Sequence, residues 1–168
     1  AIALQRNDPP HAVKLCAEAV EVADSIRSQY FLGFAWYQTG LALRAVSQDR
    51  EALYAFGRAL PMLRNVGFRN EVATTLEQTA RLLVHDVPAD AVTLYAAASA
   101  LRDVIGLPGI AAEQRSRERT LLMLREQLGN EGFSEAWNAG DVMTLDEAVD
   151  VAEALTFDMG AAGIEVVR

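Results

Sequence analysis

The sequence contains a single cysteine, Cys16, and only 7% aromatic residues. One cysteine excludes an intrachain disulfide and suits a reducing compartment. The longest uncharged run, residues 28–43, has 16 residues; at about 1.5 Å per helical residue it falls short of a bilayer core of roughly 30 Å. No basic start followed by an apolar stretch indicates a signal peptide. We therefore expect a cytoplasmic protein that does not contact the membrane.

The sequence also lacks any extended alternation of β-branched and polar residues, so a sheet is not expected. Hydrophobic residues make up 51% of the 168 positions, and alanine and leucine are abundant. Because these residues favour helices, and glycine and proline fall mainly between apolar runs, the composition predicts an all-α chain.

Acidic charge is concentrated at the C-terminal end. The formal charge of the whole chain is −8, and residues 131–168 alone carry nine acidic residues against one basic residue. Such a segment repels a nucleic-acid backbone, so we expect no direct nucleic-acid binding. A solvated helix face is the simplest interpretation of these acids.

Three sets of small and aromatic residues recur at nearly constant spacing. They are Ala12–Cys16–Ala19, then Ala52–Phe56–Ala59 forty residues later, then Ala91–Tyr95–Ala98 after a further 39. Each set has the i, i+4, i+7 spacing of one helical stripe. A W/L…G/A…L pattern precedes the second set, at Trp36–Gly40–Leu43, and the third, at Leu76–Ala80–Leu83.

This helix-pair repeat resembles the tetratricopeptide pattern. The resemblance implies a right-handed solenoid of antiparallel helix pairs closed by a C-terminal helical cap. We assign residues 1–106 to the repeats, with a half repeat at 9–28 and full repeats at 29–67 and 69–106. Residues 107–156 are assigned to a degenerate third repeat with an acidic helical cap, and residues 157–168 to a frayed tail.

Local signals place the helix ends. Pro9 predicts the start of a helix that reaches about residue 28. Asp49 is expected to cap the N-terminus of a later helix, Pro61 to kink that helix or end its regular part early, and Gly67 to take a left-handed conformation after it. Thr144-x-x-Glu147 predicts a capping box before the last helix.

A narrower resemblance lies in Ala91-x-x-Leu94-Tyr95, followed by Phe133-x-x-Ala136-Trp137-x-x-Gly140 and Thr144-Leu145. These strings are similar to the C-terminal repeat region of bacterial signal-transduction ATPases, including LuxR-type transcriptional regulators. The resemblance implies a non-catalytic regulatory module of a larger cytosolic signalling protein. The sequence has no phosphate loop and no convincing helix-turn-helix, so neither nucleotide chemistry nor DNA binding is expected in these residues.

Residues that could support chemistry are few. His11 and Cys16 lie on different sides of a helix and His85 lies in a turn, so no metal or cofactor site is expected. With two histidines in all, a catalytic triad is not expected, and Glu147 with Asp150 is better explained by capping and solvation. We therefore expect no enzymatic activity. The aromatic residues at repeat or cap positions are expected in the core, namely Trp36, Phe56, Tyr95 and Trp137.

The best functional candidates are positions on the concave face of the first helix of each repeat. By register with Trp36 and Gly40, they are Phe34, Tyr37, Gln38, Leu41 and Arg44 in the first repeat and Thr74, Glu77, Gln78, Arg81 and His85 in the second. Their partner would be a protein or peptide, or a neighbouring domain of the parent chain. Burial of this face by an adjacent helix, a self-associating scaffold and an effector-binding sensor remain alternatives.

Overall fold

The computed structural model describes residues 8–107 and 111–161, with side chains at 8–107 and 114–159. These residues form seven α-helices and no strand, as the composition predicts. In chain order the helices are α1 (Pro9–Ser25), α2 (Gln29–Ala45), α3 (Asp49–Asn65), α4 (Arg69–Leu83), α5 (Pro88–Ile105), α6 (Ala111–Asp141) and α7 (Leu145–Ala161). No helix in the described ranges is long and apolar enough to cross a membrane.

The first four helices follow one another with a constant rhythm. They begin at Pro9, Gln29, Asp49 and Arg69, 20 residues apart, and a three-residue turn separates each from the next. The 40-residue spacing of the sequence pattern equals two of these 20-residue intervals.

The same turn ends each of the first three helices. The second turn residue has a positive φ in every case: 51° at Arg27, 59° at Ser47 and 80° at Gly67. The amide of the third turn residue then donates to a carbonyl five residues earlier, as Phe68 does to Leu63 at 2.9 Å. This Schellman arrangement satisfies carbonyls that the helix leaves without a partner. The left-handed conformation expected at Gly67 is confirmed.

Two of the expected helix ends are wrong. Residue 28 does not end α1; the hydroxyl of Ser28 caps α2 by accepting from the amide of Phe31. Asp49 is the first residue of α3 rather than its cap, which is Gln48 without a side-chain hydrogen bond. Of the two effects expected of Pro61, it does not end the helix, which continues to Asn65; a kink stays a prediction. The side chain of Asp8 caps α1, as an acceptor from the amide of His11.

Replacing Ser47 by glycine is expected to stabilise the protein by about 1 kcal/mol, because a side chain in the left-handed region costs about that much. Thermal and urea unfolding measure the change. Ser116→Gly, in the interior of α6, is the matched control and should destabilise by about 0.5–1 kcal/mol. Destabilisation by both substitutions would contradict the assigned turn.

The described chain divides into two compact units. One contains α1 to α3 and the end of α7 from Glu153, and the other contains residues 69–152, which hold α4, α5, α6 and the start of α7. In the first unit α2 packs on both α1 and α3, and in the second α5 packs on both α4 and α6.

In the first unit, two glycines of α2 allow α3 to approach closely. A Cβ at Gly40 would lie within 2.9 Å of the ring of Phe56, and one at Gly33 would lie 2.8 Å from the Cβ of Met62. Phe56 is fully buried as a result. A glycine at position 40 therefore permits the close packing of these two helices.

The second unit contains a closer contact, between α5 and the C-terminal part of α6. Gly140 lies directly on the backbone of Thr93, where a Cβ would be 2.8 Å from the carbonyl carbon. The hydroxyl of Thr93 donates to the carbonyl of Ala136 at 3.1 Å, one turn earlier. The small residues of the Phe133–Gly140 string thus bring two helices together.

Helix α6 is bent at Gly129, whose φ of 72° and ψ of 170° are not helical. The bend divides α6 into an N-terminal arm, residues 111–128, and a C-terminal arm, residues 130–141. After the second arm, the hydroxyl of Thr144 and the carboxylate of Glu147 form the expected capping box. Hydrogen bonds from Thr144 lower the pKa of Glu147, because they stabilise its ionised form.

Candidate functional site

The first-repeat candidates lie on α2, and two of them line an open groove. Phe34 is 40% exposed, and its ring contacts that of Tyr37 with the centroids 6.0 Å apart. Gln38 lies half-buried one turn beyond Phe34. Leu41 and Arg44 are half-buried further along α2, and neither contributes to the groove.

The groove between α1 and α2 has a volume of about 630 Å³. Most of its walls are apolar side chains. Its lining is Leu15, Cys16, Glu18, Ala19, Val22 and Ala23 from α1, Ile26 from the C-cap of α1, and Phe31, Phe34, Ala35 and Gln38 from α2. Five of the large apolar side chains are between 40% and 61% exposed. Large apolar side chains grouped in one open depression commonly mark an interaction site.

Three helices carry the same small–aromatic–small stripe, and the stripe is buried to different extents in them. In α3 and α5 the small–aromatic–small stripe is fully buried, and α5 achieves this with α4 on one side and α6 on the other. Helix α1 carries the same stripe but packs on α2. Ala12 and Cys16 are buried accordingly, whereas Ala19 is exposed in the groove. Burial also raises the pKa of the Cys16 thiol.

The second-repeat candidates, four on α4 and His85 in the turn after it, are placed differently. Glu77 and Gln78 are buried, and Thr74 is half-buried, while Arg81 and His85 are exposed. These residues do not form an open polar surface. The alternative of burial by an adjacent helix applies to Glu77 and Gln78.

Glu77 is the centre of a buried ion-pair network. Its carboxylate accepts from Nε and Nη2 of Arg102, both at 3.0 Å, and from Nη1 of Arg117 on α6 at 3.1 Å. Arg102, which is 6% exposed, also donates to Thr74 and Asn70 at the start of α4. One carboxylate therefore joins α4, α5 and α6. Because its oxygens already bind these two arginines, it is not available to a partner.

Tyr95 lies beside this network in the buried stripe of α5. Burial raises the pKa of Tyr95 to about 12, although the positive charge of Arg81 and a hydrogen bond with Thr120 act in the opposite direction. The phenol is thus neutral at physiological pH and cannot serve as a base there.

Sequence reasoning did not identify Arg102 or Arg117 as partners of Glu77. A signal was present for the first of them, because Arg102 follows Tyr95 and Ala98 at i+7 and i+4 on the buried stripe. A charged residue on a buried stripe requires an opposite charge. No sequence signal specifies Arg117, which reaches Glu77 from a helix 40 residues away.

The expectation that four aromatic side chains belong to the core is only partly correct. Phe56 and Tyr95 are buried. Trp36 and Trp137 are half-buried. The ring of Trp36 packs edge-to-face with that of Tyr54, and the ring of Trp137 stacks on that of Phe133. Within the described ranges, no three His, Cys, Asp or Glu side chains are grouped so that they could hold a metal ion.

Comparison with known proteins adds no further assignment: no protein-family model, curated protein or solved structure matches the chain.

Proposed function

We propose that the chain is a non-catalytic protein-interaction module whose groove between α1 and α2 binds an amphipathic helix. The observation that carries the proposal is the unequal burial of one repeated stripe. Tyr95 and its neighbours on α5 are covered from two sides, whereas the equivalent surface of α1, at Ala19 and Val22, is open. A helix that takes the place of α4 relative to α5 would complete the pattern.

Contacts between neighbouring helices support a more detailed architecture, which is part of the same proposal. Residues near the start of α2 contact residues near the end of α3, as in Gly33 with Met62, and Arg102 at the end of α5 bonds to Asn70 at the start of α4. These contacts favour antiparallel helix pairs, which we propose continue as a right-handed tetratricopeptide-like solenoid with a C-terminal cap. Solenoids offer extended surfaces on which partners bind.

The walls of the groove fit a helix better than an extended peptide. An extended peptide gains affinity by pairing with an exposed sheet edge, and the described residues contain no strand. Helices instead bind through apolar side chains at i, i+3, i+4 and i+7. The groove supplies matching apolar walls in Leu15, Val22 and Ile26 on α1 and in Phe31 and Phe34 on α2.

The proposal can be tested with a labelled peptide that has the sequence of residues 69–86, the chain's own helix α4 with its following turn. Fluorescence anisotropy should show saturable binding to the protein, because this peptide carries the side chains that cover the equivalent stripe of α5. Val22→Glu should weaken this binding at least tenfold, since it places a charge on the apolar wall.

Val142→Glu is the matched control, because Val142 is 79% exposed and lies outside the groove. It should leave the affinity unchanged. Equal affinity of the peptide for the two variants would contradict docking in the groove. Sedimentation across a dilution series tests the alternative of a self-associating scaffold, in which dimerisation lost in Val22→Glu would identify a second copy as the occupant.

We also propose that this module regulates a larger cytosolic ATPase-type signalling protein, a transcriptional regulator. The family resemblance of the Phe133–Gly140 string supports this proposal. A repeat surface also suits the role, because a partner bound to it can shift the conformational equilibrium of a neighbouring switch domain. The coding sequence on either side of the chain tests the proposal. An upstream phosphate-loop domain would support it, and an unrelated enzyme domain would contradict it.

A further inference from the structure

A second apolar depression lies between the two arms of α6 and is separate from the groove of α1 and α2. Its volume is about 520 Å³, within the range of small-molecule sites. Leu121, Leu122 and Arg125 line it from the N-terminal arm, and Phe133 and Trp137 from the C-terminal arm. The bend at Gly129 turns these two helical stripes toward each other.

The aromatic wall of this pocket is ordered by stacking. The rings of Phe133 and Trp137 are nearly parallel, with an interplanar angle of 15° and centroids 5.9 Å apart. Phe133 is buried, whereas Trp137 is half-buried and lines the pocket. Part of the Trp137 ring is therefore available to a ligand. Binding there would cost little side-chain entropy, because stacking already orders the ring.

The basic side chain that lines the pocket is that of Arg125. Its guanidinium carbon lies 4.5 Å from the centroid of the Phe133 ring. Stacking engages the face of a guanidinium and leaves the N–H groups at its edge able to donate. Among the described side chains, no carboxylate is paired with Arg125.

We infer that this pocket binds a small apolar carboxylate, an aromatic or branched acid whose carboxylate pairs with Arg125 and whose apolar body packs on Trp137. The hydroxyl of Ser134 and the amide of Asn138 line the same pocket and supply further donors. Glu118 also lines it, two helical turns before Arg125. Its negative charge repels an anion there, so it directs the ligand's carboxylate toward Arg125.

Two sources share this chemistry: a free organic acid and the C-terminal residue of a peptide. Calorimetric titration with naphthaleneacetate tests the first, and an acetylated tripeptide that ends in phenylalanine tests the second. Each has a neutral counterpart, naphthaleneacetamide and the peptide amide. We expect at least one of the two acids to bind and its neutral counterpart to bind at least tenfold more weakly, because the charge-assisted bond to the guanidinium is lost.

Arg125→Ala should weaken binding of the acid at least tenfold, and Arg119→Ala should leave it unchanged. Both arginines are exposed on the same arm, and Arg119 does not line the pocket, so the pair is matched and neither change should unfold the protein. Glu118→Gln should tighten binding about threefold, because it removes a like charge.

Three results would overturn the inference. One is that neither acid produces heat of binding at millimolar concentration; another is that acid and amide bind equally. The third is that Arg119→Ala and Arg125→Ala weaken binding to the same extent. If the peptide acid binds and the free acid does not, the ligand is a peptide C-terminus and the assigned site is upheld.

Discussion

Replacing Glu77 by glutamine is expected to lower the free energy of unfolding by about 3–5 kcal/mol. Glu77 is 9% exposed, and its carboxylate compensates the charge of Arg102, which is 6% exposed, and part of that of Arg117. Glutamine is close to glutamate in shape but leaves the buried guanidinium of Arg102 without a counter-charge. Urea unfolding, followed by circular dichroism, measures the loss.

Glu126→Gln is the matched control, because Glu126 is exposed on α6. It should change the free energy of unfolding by less than about 0.5 kcal/mol. A double-mutant cycle of Glu77→Gln with Arg102→Gln should give a coupling of about 0.5–3 kcal/mol. If Glu77→Gln and Glu126→Gln melt alike, or the cycle shows no coupling, the network does not join α4 and α5 as described.

The second large effect is expected at Gly140. Its replacement by alanine should destabilise the protein by about 1–3 kcal/mol, because the added methyl group meets the backbone of Thr93 and cannot be accommodated by a rotamer change. The two helices must separate, which also strains the hydrogen bond from the Thr93 hydroxyl to Ala136. Thermal unfolding of the variant measures this effect.

Gly132→Ala in the same arm of α6 provides the opposite case. A Cβ at Gly132 meets only the Cβ of Leu128, at an ordinary distance of 3.7 Å. Alanine should therefore stabilise the helix by about 0.5–1 kcal/mol, through its lower entropy in the unfolded chain. If Gly140→Ala is as well tolerated as Gly132→Ala, the close contact between α5 and α6 is not present in solution.

Much of the helical framework could be predicted from the sequence, because helices and their ends depend on local residue types. The spacing of Ala52, Phe56 and Ala59 predicts one buried stripe, and these residues are fully buried. Glycine at positions 67 and 129 predicts the ends of helical segments, since glycine takes positive φ without a steric penalty. Both glycines have positive φ.

The turns without glycine could not be placed as well. Arg27 and Ser47 adopt the conformation that Gly67 adopts, although their side chains disfavour it. The hydrogen bond from Gln48 to Leu43, at 3.0 Å, closes the turn at Ser47. These turns therefore do not follow from residue type alone, which explains why the end of α1 and the start of α3 differ from the positions that the sequence predicts.

The candidate positions differ in how their surroundings could be predicted from the sequence. Phe34 and Gln38 line the groove of the first unit together with side chains from the adjacent helix α1. Treating the second repeat in the same register placed Glu77 and Gln78 on an open surface, although both are buried. The sequence periodicity carries no information on Arg117, which lies beyond the repeats and binds Glu77 from α6.

The surroundings of Trp137 likewise could not be predicted from the sequence pattern. Its position in a string of small and aromatic residues is typical of helix packing, and Ala136 and Gly140 do serve that purpose. The side chains of Phe133 and Trp137 instead form one wall of a pocket whose other wall comes from the preceding arm. Only the bend at Gly129 brings the two walls together.

The central proposal is that the groove between α1 and α2 binds a helix. Its most direct test is to map the backbone amide NMR shifts of the protein as the peptide of residues 69–86 is added. The largest changes should fall on α1 and α2 around Ala19, Val22 and Phe34, and they should disappear in Val22→Glu but persist in Val142→Glu. Changes centred on α5 and α6, or no changes at saturating peptide, would contradict the proposal.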